Sequence, residues 1–208
     1  MSSLPEPIER AAASFDRLPG LGPRAALRYV SWLATQPKES ILAFARAIEA
    51  LANAVRHCSV CQQWTDQHIC RICRDTNRDT YLLCVVATSQ DIRPIEDSGA
   101  FKGRYHVLQG TLDPLEGRGA EHLTIRELRQ RLATSKEIQE VLLALDADVS
   151  GDATALFLQQ ELQAFPHVKV TRLARGLPSG ATLEYADPLT LIDAINNRKG
   201  QTPTHPKE

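Results

Sequence analysis

Four cysteines spaced Cys58-x2-Cys61-x8-Cys70-x2-Cys73 carry the clearest chemical signal in this 208-residue sequence. Each Cys-x2-Cys pair fits a tight knuckle, and two knuckles close a tetrahedral four-sulfur site around zinc. Four thiolates leave no open coordination position. The expected metal is therefore a structural Zn2+, one per chain, and not a catalytic one. Disulfides fit poorly, because cysteines so close in sequence make strained bridges and nothing points to an oxidising compartment. His57 and His68 flank the cysteines. They leave a mixed ligand set open, although four cysteines already complete the shell. Cys84 falls inside an apolar run and reads as a buried small hydrophobe. So short a knuckle has little core of its own, and ligation supplies much of its folding free energy, about 10–16 kcal/mol in small zinc peptides.

A second cluster is acidic. Asp146-Ala-Asp148-Val-Ser-Gly-Asp152 follows the apolar run Val141–Leu145. If that run is a strand of a parallel sheet, the carboxylates stand at its carboxyl end, where ligands bind. The Asp-x-Asp resembles the acidic motif of Toprim domains, whose catalytic members use it to hold Mg2+ with a glutamate from the end of the first strand. Here that strand end reads Val85-Val86-Ala87-Thr88, and Ala87 can neither bind metal nor move a proton. The open alternatives are a solvated loop capping a helix from 152, weak metal binding, and a partner surface at Asp146, Asp148 and Asp152.

The third constellation is Leu18-Pro-Gly-Leu-Gly-Pro-Arg24 between two helical stretches, which resembles the helix-hairpin-helix DNA-binding motif. Gly20 and Gly22 allow a sharp turn and a close approach to another surface. Pro23 starts the next helix, whose free N–H groups suit a phosphate. Arg24 and Arg28 add charge one turn apart. Such contacts read the backbone and not the bases, so any DNA binding is expected to be sequence-nonspecific. A plain corner between two helices is the competing reading.

The elements that must position these groups follow from periodicity. Residues 5–17, 23–35 and 38–56 read as helices, the third with Ile41, Leu42, Phe44, Ala45, Ile48, Leu51, Ala52 and Val55 on one face. After the knuckle, strands at 81–87, 105–108, 140–145 and 168–173 alternate with helices. These are a short one to about 97 capped by Ser89, one from a Thr124-x-x-Glu127 capping box to about 133, and one over 152–165. This alternation implies a parallel sheet with helices on both faces. Asp187-Pro188 opens a last helix, and 200–208 reads as a disordered tail. The fold class is α+β multidomain. Its divisions are a helix-hairpin-helix region over 1–56, the zinc knuckle over 57–75, a Toprim-like domain over 80–176 and a C-terminal segment over 177–208.

Net charge is −1, but residues 1–57 are net +2 and residues 81–177 net −2. A nucleic-acid footprint therefore belongs near the N-terminus. No stretch reaches the roughly 18 apolar residues of a membrane span, and the first residues carry no basic or apolar leader, so the expected location is cytoplasmic.

The order of hairpin, four-cysteine knuckle, Toprim-like sheet and short C-terminal segment resembles the RecR family of bacterial recombination mediators over roughly residues 10–197. The segments that carry the resemblance are Leu18–Arg28, His57–Cys61, Ile69–Cys73, Gly103–Leu108, Gly151–Thr154 and Arg172–Gly180. It implies a non-enzymatic protein acting in DNA repair at the bacterial nucleoid. It also implies a homo-oligomer, from dimer to ring tetramer, that encircles DNA and acts with RecO and RecF to load RecA on gapped DNA. Ala87 and the acidic residues Asp146 and Asp148 depart from the pattern expected by resemblance. Two other functions compete: a Mg-dependent Toprim-type nuclease using Asp146, Asp148 and Asp152, and a zinc-ribbon RNA-binding module.

Overall fold

The computed structural model describes residues 4–114 and 116–198; the 200–208 segment read as a tail lies outside them. The chain divides into two compact units, residues 1–55 and 56–208.

In the first unit, α1 (Glu6–Asp16) and α2 (Pro23–Ala34) pack together, with Ala26 and Val30 of α2 buried. The connection turns at Gly20, whose φ of +78° is the left-handed conformation that favours glycine. α3 (Lys38–Ala54) follows Pro37. It buries none of its residues, and Leu42, Phe44, Ile48 and Leu51 of its periodic apolar set are exposed.

The second unit begins with the knuckle. β1 (Arg56–His57) and β2 (Trp64–Thr65) form an antiparallel pair, and α4 (Arg71–Arg74) follows Cys70. The main sheet holds β3 (Leu82–Val86), β4 (Arg104–Val107), β5 (Glu140–Ala144) and β6 (Lys169–Arg172). Its order is β4-β3-β5-β6 with every pairing parallel, as the apolar runs imply. Between the strands lie α5 (Ile92–Asp97), α6 (Ile125–Thr134) and α7 (Val149–Leu162).

Side chains alternate across the sheet, so successive residues of β3 enter different cores. Leu83 and Val85 join Leu128 and Leu132 of α6 and Leu158 of α7. Cys84 and Val86 join Ile92 of α5 and, from the knuckle, Cys58, Cys61, Cys70 and Ile72. The second face is thus roofed by the zinc knuckle together with the short α5, and helices alone do not cover both faces.

Two helix starts differ from expectation. The Thr124 hydroxyl does not cap α6: it donates to the Val107 carbonyl at 2.6 Å and meets His106 Nε2 at 3.0 Å, so its sheet neighbours take it. Ser89 does not cap the segment before α5. Thr88 does, in a reciprocal box with Asp91, while Ser89 Oγ accepts from the Trp64 amide of the knuckle. The last helix, α8 (Pro188–Asn196), opens as the sequence predicts, with Asp187 accepting from the Leu189 and Thr190 amides at 3.0 Å.

Candidate functional site

The knuckle brings all four cysteines together. The ligand atoms of Cys58, Cys61, Cys70 and Cys73 lie within 4.8 Å of one another, the one such group of potential metal ligands among the described residues. Cys61 Sγ and Cys70 Sγ are 3.5 Å apart. That is too far for a disulfide and close to the ~3.8 Å edge of a tetrahedron with zinc–sulfur bonds of about 2.3 Å. Backbone amides point at the sulfurs: Cys70 N–H at Cys58 Sγ (3.3 Å) and Cys73 N–H at Cys70 Sγ (3.4 Å). Local chain geometry builds this. Gln62 takes a left-handed φ of +64°, and its amide donates to the Cys58 carbonyl at 3.0 Å, closing the first knuckle.

Four thiols this close cannot ionise independently. Hydrogen bonds with Cys61 and Cys73 hold the Cys70 thiol well below its ordinary range. Contacts with Cys70 and Cys73, and then burial, push the Cys61 thiol up. A dication resolves this competition by stabilising every thiolate at once. The donor set fits zinc, with Cys58, Cys61, Cys70 and Cys73 as its holders; bound there, the metal supplies cross-linking and no chemistry. His57 and His68 are exposed and lie outside the group, so the mixed ligand set is not what the fold assembles. Burial pushes the Cys84 thiol up to about 12, in keeping with an inert core residue.

The acidic loop is assembled differently. Asp146 is exposed. Asp148 is the N-cap of α7 and accepts from the Gly151 amide at 2.7 Å, so the helix starts at Val149 and not at 152. Gly151 is required by contact: a Cβ there would stand 2.1 Å from the Asp146 carbonyl oxygen. Asp152 bonds Arg172 (2.6 Å) and, through both oxygens, Arg175. These guanidinium groups, Arg175 first, hold its carboxyl down to about 2. The three carboxylates thus do not converge. Ala87, buried just past the end of β3, offers only its carbonyl, which accepts from the Gly110 amide at 2.9 Å.

At the hairpin, Gly22 is the N-cap of α2 with Pro23 at its first position, and no side chain caps that end. Arg24 and Arg28 are exposed, and the Arg28 guanidinium sits 5.3 Å from the centre of the Tyr29 ring. No Cβ clash demands glycine at 22.

Sequence reasoning missed one partly buried network. Arg78, just after the knuckle, pairs with Glu96 of α5 through both nitrogens of its fork and donates to the Gly103 carbonyl at 3.0 Å. Tyr105 of β4 donates to the same glutamate at 2.7 Å. Its members are scattered over 28 positions of sequence and share no motif.

A four-cysteine zinc knuckle laid on one face of a parallel sheet, with acidic residues at the strand ends, defines a zinc-stapled protein of the Toprim class. Residues 82–174 match the Toprim domain family, residues 55–75 the RecR four-cysteine zinc finger domain and residues 176–199 the RecR C-terminal family. The chain is 45% identical over 194 residues to Recombination protein RecR of Pelotomaculum thermopropionicum, covering 93% of this chain and 96% of that one. It is 42% identical to Recombination protein RecR of Heliobacterium modesticaldum with the same coverage. Against Recombination protein RecR of Syntrophotalea carbinolica it is 43% identical, over 92% of this chain and 96% of that one. The chain belongs to the RecR family.

Proposed function

We propose that this protein is a non-enzymatic, sequence-nonspecific DNA-binding mediator of recombinational repair. In this reading it works in the cytoplasm at the nucleoid, with RecO and RecF, to help load RecA on gapped DNA. The hairpin region, residues 1–56, holds the DNA, and the knuckle, 57–75, fixes the sheet of residues 80–176. The observation that carries the reading is the uncapped start of α2, behind Gly20 and Gly22, with Arg24 and Arg28 exposed beside it. Free N–H groups at a helix start and two guanidinium groups are the chemistry of a phosphate contact, which positions without reading bases.

Two further observations support it. Asp152 is already neutralised by two arginines and Asp148 is engaged as a cap, so of the three loop carboxylates Asp146 alone stands free, one short of what two-metal cleavage needs from this loop. In the first unit, Phe15, Tyr29, Trp32, Leu33, Ile41 and Phe44 line an apolar groove, the kind of surface that self-association covers. Assembly multiplies a weak phosphate contact, as a region of net +2 requires. No helix among the described residues is long and apolar enough to cross a membrane.

The test is a salt titration of binding to two duplexes of unrelated sequence, for wild type and the Arg24→Ala/Arg28→Ala double mutant. The mutant should bind both more weakly and lose about 0.9 of salt slope per phosphate contact removed. Equal affinity and slope would place the DNA surface elsewhere.

A further inference from the structure

A dication held by four thiolates leaves an excess of negative charge on a centre whose sulfurs are largely buried. Buried charge is costly unless a counter-charge stands close by. The knuckle's own cations do not supply one, because Arg56, Arg71 and Arg74 are all exposed.

Four arginines among the described residues are half-buried: Arg78, Arg104, Arg131 and Arg175. Arg78 pairs with Glu96, and Arg175 with Asp152. Among the described residues, Arg104 and Arg131 have no carboxylate within ion-pair distance. Both line a cleft of about 290 Å³ together with Ser59 and Val60, the two residues between Cys58 and Cys61. Glu127 and Glu137 line it too, but both are exposed. Arg104 Nε is buried without a hydrogen-bond partner.

The cleft lies where the knuckle meets α6 at the free edge of β4. Odd-numbered residues of β4 turn their backbone groups away from β3. Along that edge Val107 N–H donates to the Cys61 carbonyl at 2.8 Å, and the Tyr105 carbonyl accepts from Arg131 Nη1 at 2.6 Å. One strand edge thus carries the cysteine knuckle and the arginine side by side. Loss of water pushes the Arg131 guanidinium down, Cys73, Cys61 and Cys58 act the other way, and Arg104 adds to the downward push. Arg131 and the cysteine knuckle therefore meet on the same edge of β4.

We propose that Arg131 of α6 and Arg104 of β4 are the counter-charge of the zinc tetrathiolate, so that the sheet domain completes the metal centre. Zinc retention is then a property of the whole second unit and not of the 57–75 segment alone. The two arginines are positioning residues that act through the sulfurs.

The test uses the full chain with Arg131→Met, which keeps most of the side-chain volume, and Arg131→Lys, which keeps the charge. Zinc affinity is measured by competition with a chromogenic chelator. The sulfur-to-cobalt charge-transfer band is recorded on the cobalt(II)-loaded protein. Arg131→Met should weaken zinc binding by about tenfold or more. It should also move the band to longer wavelength, because uncompensated thiolates are easier to oxidise. Arg131→Lys should restore most of both, and Arg104→Met should act in the same direction. An unchanged affinity in Arg131→Met would overturn the proposal. So would a loss that lysine does not rescue, or one with an unmoved band, since either describes a packing role only.

Discussion

The cysteine knuckle and the acidic loop are both short, both rich in metal-ligand types and both set against the same sheet, yet only one gathers its ligands. The four cysteines close on one point, their ligand atoms all within 4.8 Å of one another. Two of the three aspartates are committed elsewhere. Asp148 is spent on a helix start and Asp152 on Arg172 and Arg175, while Asp146 faces solvent. Ligand-type residues at suggestive spacing make a metal site only where neighbouring donors leave them free. The same contrast separates zinc as a structural cross-link from a catalytic Mg2+ centre.

The comparison breaks most visibly at the sulfurs. Cys61→Ser should release the zinc, about one per chain in wild type. It should also remove the roof of the face built on Cys84, Val86 and Ile92. The predicted outcome is loss of cooperative melting, followed by circular dichroism with elemental analysis of the same sample. A metal-free variant that melts like wild type would show that the knuckle is dispensable.

On the acidic side the largest effect belongs to Gly151→Ala. With a Cβ 2.1 Å from the Asp146 carbonyl oxygen, the first turn of α7 must move. The expected loss is roughly 1–3 kcal/mol in urea unfolding. A neutral result would mean that the loop is free to shift. Asp148→Ala removes the α7 cap and should cost about 1 kcal/mol by the same measurement.

Asp152 sharpens the contrast through pH. Its folded carboxyl lies at about 2, below its ordinary value, held there by Arg175 and Arg172. The stabilising contribution is therefore complete above the ordinary carboxylate range. It is lost as pH falls through about 2. A carboxyl-carbon NMR titration should place the Asp152 midpoint near that value, and Asp152→Asn should flatten the acid limb of the stability profile. A midpoint in the usual range would mean that the arginines do not hold it in solution.

The smallest expected effect is none. Millimolar Mg2+ should leave the melting temperature unchanged, and no DNA should be cleaved. A saturable Mg2+ shift abolished by Asp146→Asn would revive the nuclease reading.

What the sequence made legible was local. Cys58 to Cys73 form a ligand set within one short loop, so spacing alone announces it. Asp187-Pro188 satisfies a helix start from its own neighbours, and the strand runs are apolar because both sheet faces are buried. What escaped depends on distant partners. The Thr124-x-x-Glu127 pattern is a valid capping box, but the Val107 carbonyl and His106 claim the hydroxyl first. Arg104 and Arg131 lie 31 and 58 positions beyond Cys73, and no spacing rule links them to it. A faint signal existed: Arg131 falls three residues after Leu128, on the helix face that Leu128 and Leu132 bury, where a charge needs a reason. The apolar face of α3 is legible in its periodicity, but none of its residues is buried and only Ile41 is half-buried.

The central claim is that this protein holds its zinc through the sulfurs of Cys58, Cys61, Cys70 and Cys73 alone. Zinc-edge X-ray absorption on the full-length protein tests it most directly. The account predicts four sulfur scatterers at about 2.3 Å and no shorter shell. Oxygen or nitrogen scatterers at about 2.0–2.2 Å would contradict it.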